Sequence, residues 1–173
     1  QFIEYYFKER VTAEEQAAPS GPETEDTRTT ARSGSYIQLD NNGNAYMMDS
    51  GTPNILVKLD PRTGEQTDYP VPLRSGGIHD MVVDREGIIW MGNFSPARVG
   101  KPMVFSFNTE NEKWNQFDPD PKNELRTDHK GGMIGTTVDS KGNTYYNWMV
   151  AGALSKLDRV LEEGERLRHA ARE

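Results

Sequence analysis

Asp40-Asn-Asn-Gly-Asn-Ala-Tyr46, Asp84-Arg-Glu-Gly-Ile-Ile-Trp90 and Asp139-Ser-Lys-Gly-Asn-Thr-Tyr145 are one phrase written three times. Each copy has an Asp, a Gly three positions later and an aromatic residue six positions later. A fixed phrase returning every 40 to 55 residues marks a repeat architecture. The phrase also carries its own turn chemistry. Gly43, Gly87 and Gly142 fall where a tight hairpin needs positive φ, and the leading Asp can bond the backbone two residues on.

Outward from each turn the chain breaks into short strand-like runs. Unit one reads Tyr36–Asp40, Asn44–Met48, Ile55–Leu59 and Glu65–Val71. Unit two reads Asp80–Asp84, Ile88–Met91, Met103–Phe107 and Lys113–Phe117. Unit three reads Gly135–Asp139, Asn143–Tyr146 and Ala153–Leu157, with no fourth run after it. A second hairpin signal, Asp60-Pro-Arg-Thr-Gly64, joins the last two strands of unit one. Its counterpart, Asn108-Thr-Glu-Asn-Glu112, has Asn111 as the residue expected to take up the glycine-like backbone region.

Four short antiparallel strands per unit, repeated in tandem, predict an all-β chain. The expected fold is a β-propeller of about three four-stranded antiparallel blades, at residues 33–74, 75–128 and 129–158. A two-layer sandwich is the alternative. The constant offset of Tyr46, Trp90 and Tyr145 favours blades, because it puts the aromatics at equivalent sites between neighbours. Closed propellers typically need four or more blades, so the array is either an incomplete ring or part of a larger propeller.

The flanks differ in character. Residues 1–7 are aromatic and β-branched and predict the outer strand of a blade, belonging to an earlier blade or completing unit three. Residues 8–32 contain Pro19, Gly21 and Pro22 and no large apolar residue after Val11, which predicts a flexible linker or inserted loop. Residues 159–173 form a charged tail that a short helix interrupted at Gly164 would accommodate.

Composition excludes several classes of function. The chain has 173 residues and a formal charge of −7, which opposes a sequence-independent grip on nucleic acid. No run approaches the ~20 apolar residues of a membrane-spanning helix. There is no cysteine, hence no disulfide, thiolate metal site or cysteine nucleophile. The opening, Gln1-Phe-Ile-Glu-Tyr-Tyr6, has neither a secretory signal nor an initiator Met, as expected of a processed protein or a piece of a longer one. The absence of cysteine fits a periplasmic or extracellular protein, and equally a cytosolic one.

Few residues invite chemistry. His79 and Asp80 are adjacent at the mouth of an inner strand, where His79 could serve as general base or metal ligand. The plainer role is a hydrogen-bonding residue lining a channel. His129 precedes the inner strand of unit three and could approach the same face. Arg74, in Arg74-Ser-Gly-Gly77, and Trp148, expected on a loop after the second strand of unit three, are candidate ligand contacts beside Asp80. The turn residues Asp40, Asp84 and Asp139 supply too few oxygens each for Ca²⁺, which takes six to eight, and read as structural. The glycine-rich stretches lack the following helix that a phosphate cradle requires. Met47, Met48, Met91 and Met149 recur near one repeat position and read as core.

Lys58-Leu-Asp-Pro-Arg-Thr-Gly-Glu-Gln-Thr-Asp-Tyr-Pro-Val-Pro72 followed by Gly77-Ile-His-Asp-Met-Val-Val-Asp-Arg-Glu-Gly-Ile-Ile-Trp90 resembles the blade repeat of the virginiamycin B lyase (streptogramin lyase) family. The resemblance covers residues 33 to about 158. It implies a seven-bladed propeller that opens a cyclic depsipeptide by β-elimination, with histidines near the central channel and Mg²⁺. His79 aligns with the family's pro-his-gly histidine, but Ile78 replaces the Pro and Asp80 the small residue, and the family's glutamate is missing from Met91-Gly-Asn93 after Trp90. The equivalent positions in the other units are Ser35 and Ile134. Two functions follow as expectations. The first is a non-catalytic module that binds a protein or extended ligand, with a protein partner or self-association completing the propeller. The second is a carbon–oxygen lyase using His79 and Mg²⁺. A lactonase-type hydrolase fits less well, since only Asp80 is placed near the axis to serve as a carboxylate ligand.

Overall fold

The computed structural model describes residues 3–7, 32, 34–51, 53–72, 77–94, 103–119, 132–149 and 154–158. Among them the chain is all-β, built as three antiparallel sheets laid out in chain order. The first sheet holds β1 (Gly34–Leu39), β2 (Ala45–Asp49), β3 (Ile55–Leu59) and β4 (Gln66–Pro70). The second holds β5 (Ile78–Val83), β6 (Ile88–Asn93), β7 (Val104–Asn108) and β8 (Lys113–Phe117). The third holds β9 (Met133–Val138), β10 (Thr144–Trp148) and β11 (Leu154–Leu157). Each sheet is a simple meander whose strands pair in sequence order. The inner strands β1, β5 and β9 pack side by side, so the sheets are propeller blades 1, 2 and 3.

The repeated phrase builds the turn between the inner two strands of each blade. In blade 2, Asp84 Oδ1 accepts the backbone N–H groups of Glu86 and Ile88, each at 2.9 Å. Its Oδ2 accepts the indole N–H of Trp90 at 3.0 Å. The turn closes through Gly87, whose φ is 75°. In blade 3, Asp139 accepts from the backbone of Lys141 and Asn143, from Asn143 Nδ2 and from the Tyr145 hydroxyl. These donors, the Asn143 side chain first, hold its carboxyl down at about 2. In blade 1, Asp40 takes two backbone donors and Asn44 Nδ2, while the buried Tyr46 hydroxyl has no partner. Burial, with the Asp40 and Glu112 carboxylates nearby, pushes that phenol far above its ordinary range.

In blades 1 and 2 the aromatic of the phrase fills the space before the next blade. Tyr46 is fully buried against blade 2, with its ring centroid 6.2 Å from that of Phe107. Met48, Leu56, Met81, Met91 and Phe105 complete this layer. Trp90 packs toward blade 3 with Val104, Met133, Tyr146 and Trp148. Burying one such side chain stabilises by about 2–3 kcal/mol. Tyr145, next to the inward Tyr146 on β10, points to the opposite face and is only half-buried. No described blade lies beyond it.

Four expectations need correction or fall outside the described residues. Ile3–Phe7 carries no strand. It lies on blade 1 through side-chain contacts: the Tyr5 hydroxyl donates to the Pro61 carbonyl at 2.9 Å, and Gln66 Nε2 donates to the Tyr6 carbonyl at 2.8 Å. Those bonds tie the segment down without a backbone ladder. In the β7–β8 turn the positive φ, 58°, falls on Glu112 and not on Asn111. Glu112 stands at the position of Gly64, the last residue of the matching turn, so the geometry is set by position and costs about 1–2 kcal/mol without glycine. A bond from the Tyr69 hydroxyl of blade 1 to the Glu112 carboxylate, at 2.6 Å, offsets part of that cost. Of the segment 8–32 only Arg32 is described, and the tail 159–173 lies outside the described residues.

Two glycines test the packing between blades and the turn chemistry separately. A Cβ on Gly132 would lie 1.9 Å from the Phe94 carbonyl oxygen, where blade 3 begins against the end of β6. Gly43 has φ +82° and open space around it. Urea titration should show Gly132→Ala losing about 3 kcal/mol or more, and Gly43→Ala losing only about 1–2 kcal/mol.

Candidate functional site

All three inner strands carry an irregularity at the same end. The β1–β2 register shifts between Gly34 and Ile37, the β5–β6 register between Ile78 and Met81, and the β9–β10 register between Asn147 and Trp148. In blades 1 and 2 two residues oppose one: Ser35 and Tyr36 face Met48, and His79 and Asp80 face Gly92. Such bulges re-aim side chains and recur beside functional sites. Here they turn Tyr36, His79 and Asp80 toward neighbouring blades.

His79 lies where all three blades meet. Its Nδ1 is 3.2 Å from the Ile134 carbonyl of blade 3 and 3.1 Å from the Tyr36 hydroxyl of blade 1. A carbonyl only accepts, which assigns the proton to Nδ1. Nε2 is then the acceptor, 3.4 Å from the same Tyr36 hydroxyl. The ring is held between Tyr36 and Phe94, at centroid distances of 5.3 and 5.0 Å. Both nitrogens therefore face protein partners.

Asp80 spans the next junction. Its Oδ1 accepts the Met81 N–H and its Oδ2 accepts the Thr136 N–H of blade 3, each at 2.9 Å. Tyr36 and Asp80 occupy one repeat position, four residues before the turn Asp, and each bonds the following blade. The third copy of that position is Gly135, which has no side chain to extend.

The other candidates separate from this cluster. Trp148 is not on a loop: it closes β10, is buried with Trp90, and donates its indole N–H to Ser155 Oγ at 2.7 Å. Strand alternation puts it on the inward face beside Tyr146 and Met133, where it is core. Met48 and Met91 are likewise fully buried, whereas Met149 is exposed. His129 and Arg74 lie outside the described residues. Among the described residues no three His, Asp or Glu side chains converge as metal ligands. Asp80 is the carboxylate of this cluster, and each of its oxygens already accepts one backbone N–H. Sequence reasoning missed Tyr36 and Phe94. Tyr36 had a usable signal, since it shares its repeat position with Asp80.

No family model and no curated protein matches the sequence. Solved structures do match. Virginiamycin B lyase from Staphylococcus aureus superposes with a TM-score of 0.58 at 12% identity, over 73% of this chain and 38% of that one. A streptogramin B lyase gives 0.52 at 15% identity, over 72% and 40%. The extracellular domain of a hybrid two-component system from B. thetaiotaomicron gives 0.52 at 15% identity, over 75% and 16%. At such identities the likeness establishes the propeller-like fold alone. The chain spans well under half the length of these proteins.

The bonds across the blades predict a specific pattern of damage. Asp80→Ala should cost about 2 kcal/mol, by leaving two backbone donors without their acceptor. His79→Phe, which keeps the ring packing, should cost about 1 kcal/mol. Urea midpoints give the sizes, and faster amide exchange at Thr136 in Asp80→Ala alone would assign the cause.

Proposed function

We propose that this chain is a non-catalytic β-propeller module that acts by binding, within a longer chain or a larger assembly. The observation that carries this reading is the employment of His79 and Asp80. Both are bonded across a blade junction, Asp80 to the Thr136 N–H at 2.9 Å and His79 Nδ1 to the Ile134 carbonyl at 3.2 Å, in the cluster where a catalytic base would be sought. Among the described residues nothing covers the outer face of blade 3, where Tyr145 is half-buried and Leu154 exposed. An unpaired strand edge and an uncovered face are the means by which sheet proteins take up partners. A periplasmic or extracellular setting is part of the proposal, supported by the likeness to an extracellular domain. Among the described residues no helix is long and apolar enough to cross a membrane.

A second reading has one observation in its favour. His79 stands at an inner-strand bulge of a fold shared with two lyases, so a ring-opening β-elimination would place its base there. The two readings diverge in one assay. Incubated with a cyclic streptogramin and Mg²⁺, the protein should give no ring-opened product by mass spectrometry beyond the protein-free control. Turnover that His79→Ala abolishes would replace the binding reading with the lyase one.

A further inference from the structure

A cleft opens between blades 1 and 2 on the side of the repeated turns, at the opposite end of the inner strands from His79. Its volume is about 570 Å³, inside the range of roughly 300–1,000 Å³ that small-molecule sites occupy. Most such sites are lined by apolar side chains. Here blade 1 supplies Asn44, Lys58, Glu65, Thr67 and Tyr69, and blade 2 supplies Glu112. A lining of this kind selects a polar ligand, and its unpaired groups define which.

Both signs of charge face the cleft without cancelling. Asp60 and Arg62, also in its wall, pair with each other at 3.0 Å. Lys58 is half-buried and forms no ion pair with a described carboxylate. Glu65 and Glu112 meet no described cation. A charge drawn partly out of water is costly unless an opposite charge meets it. Register sets Lys58 between Tyr46 and Thr67, in one row across β2, β3 and β4. The Tyr46 hydroxyl in that row is fully buried without a partner, and the Glu112 carboxylate acts on it through space. The layer beneath the cleft thus holds a second donor that lacks an acceptor.

Glu112 shows that the negative charge is placed at a cost. It is the one non-glycine residue with a positive φ among the described residues, where the matching turn has Gly64. Strain of this kind persists where the surrounding structure uses it. Glycine would serve the turn better, but it would bring no carboxylate to the cleft. The Tyr69 hydroxyl of blade 1 donates to that carboxylate at 2.6 Å and holds it between the two blades.

We propose that this cleft binds a small ligand bearing both an acid and an amine, of the class of a basic α-amino acid. The ligand carboxylate accepts from Lys58, with the Tyr46 hydroxyl behind it, and the ligand amines donate to Glu65 and Glu112. Two glutamates and one lysine leave one net negative charge, which matches the single net positive charge of such an amino acid. This proposal deepens the binding reading and rests on it.

Amide chemical shifts of the full chain, followed during titration with L-lysine, test it. The amides of Lys58, Thr67 and Glu112 should move together and saturate. Cadaverine, which lacks the acid, and glutarate, which lacks the amines, should each bind about 10-fold more weakly or worse. Lys58→Met and Glu112→Gly should each weaken L-lysine by about 10-fold or more, with urea midpoints confirming that the variants fold. Glu112→Gly keeps the turn, so binding lost there reports the carboxylate. Lys141→Met removes an exposed cation outside the cleft and should bind L-lysine as the unaltered chain does. No saturable shift in the cleft, shifts confined to other surfaces, cadaverine or glutarate binding as tightly as L-lysine, or undiminished binding in either cleft variant would each overturn the proposal. Each of those results leaves the binding reading standing, since that reading fails through turnover of the streptogramin.

Discussion

The structure depends on a carboxylate that organises a turn and an aromatic ring together. Asp84 fixes the β5–β6 turn through two backbone donors and, with its other oxygen, the indole of Trp90. The turn sets the register of the inner strands, and the indole bond sets where the ring enters the gap between blades. A carboxylate buried with hydrogen bonds from several donors is favourable, whereas the same group with one donor removed is costly. In blade 2 the turn and the joint to blade 3 are therefore tied to one residue, whereas in blade 1 Asp40 organises the turn and Tyr46 is held by packing against Phe107.

The other end of the inner strands carries the complementary device. Bulges there turn Tyr36 and His79 toward one another, and Asp80 toward the backbone of the following blade. Blades are joined by aromatic packing near the turns and by polar bonds at the bulges. Residues that would draw notice in an enzyme are bound up in this joinery. Among the described residues, blade 2 has a blade on each side, and the outer face of blade 1 carries Ile3–Phe7 and Arg32.

Much of this was legible in the sequence because turn chemistry is local. Gly43, Gly87 and Gly142 are the residues that the hairpins need, and the interval between them sets the blade length. What could not be read depends on contacts between distant residues. Trp148 is indistinguishable from a loop residue until β10 is seen to run on to it, with Tyr146 on the same face. Asn111 is the better intrinsic choice for a left-handed backbone, but alignment with Gly64 puts Glu112 there, held by Tyr69 from another blade. Phe2–Phe7 has strand composition, yet composition does not supply a ladder partner, and Tyr5 and Tyr6 find blade 1 through a hydroxyl and a carbonyl instead. His79 was visible as a candidate, while its engagement on both sides was not, because Tyr36 and Ile134 are remote from it in sequence.

The dual role of the turn carboxylate is the claim from which the rest follows, and Asp84→Ala tests it most directly. Urea unfolding followed by tryptophan fluorescence, alongside exchange of the Trp90 indole proton, should show a loss of about 3 kcal/mol and a proton freed from protection. A loss below about 0.5 kcal/mol, the level of an ordinary surface substitution, with the indole still protected, would contradict the account.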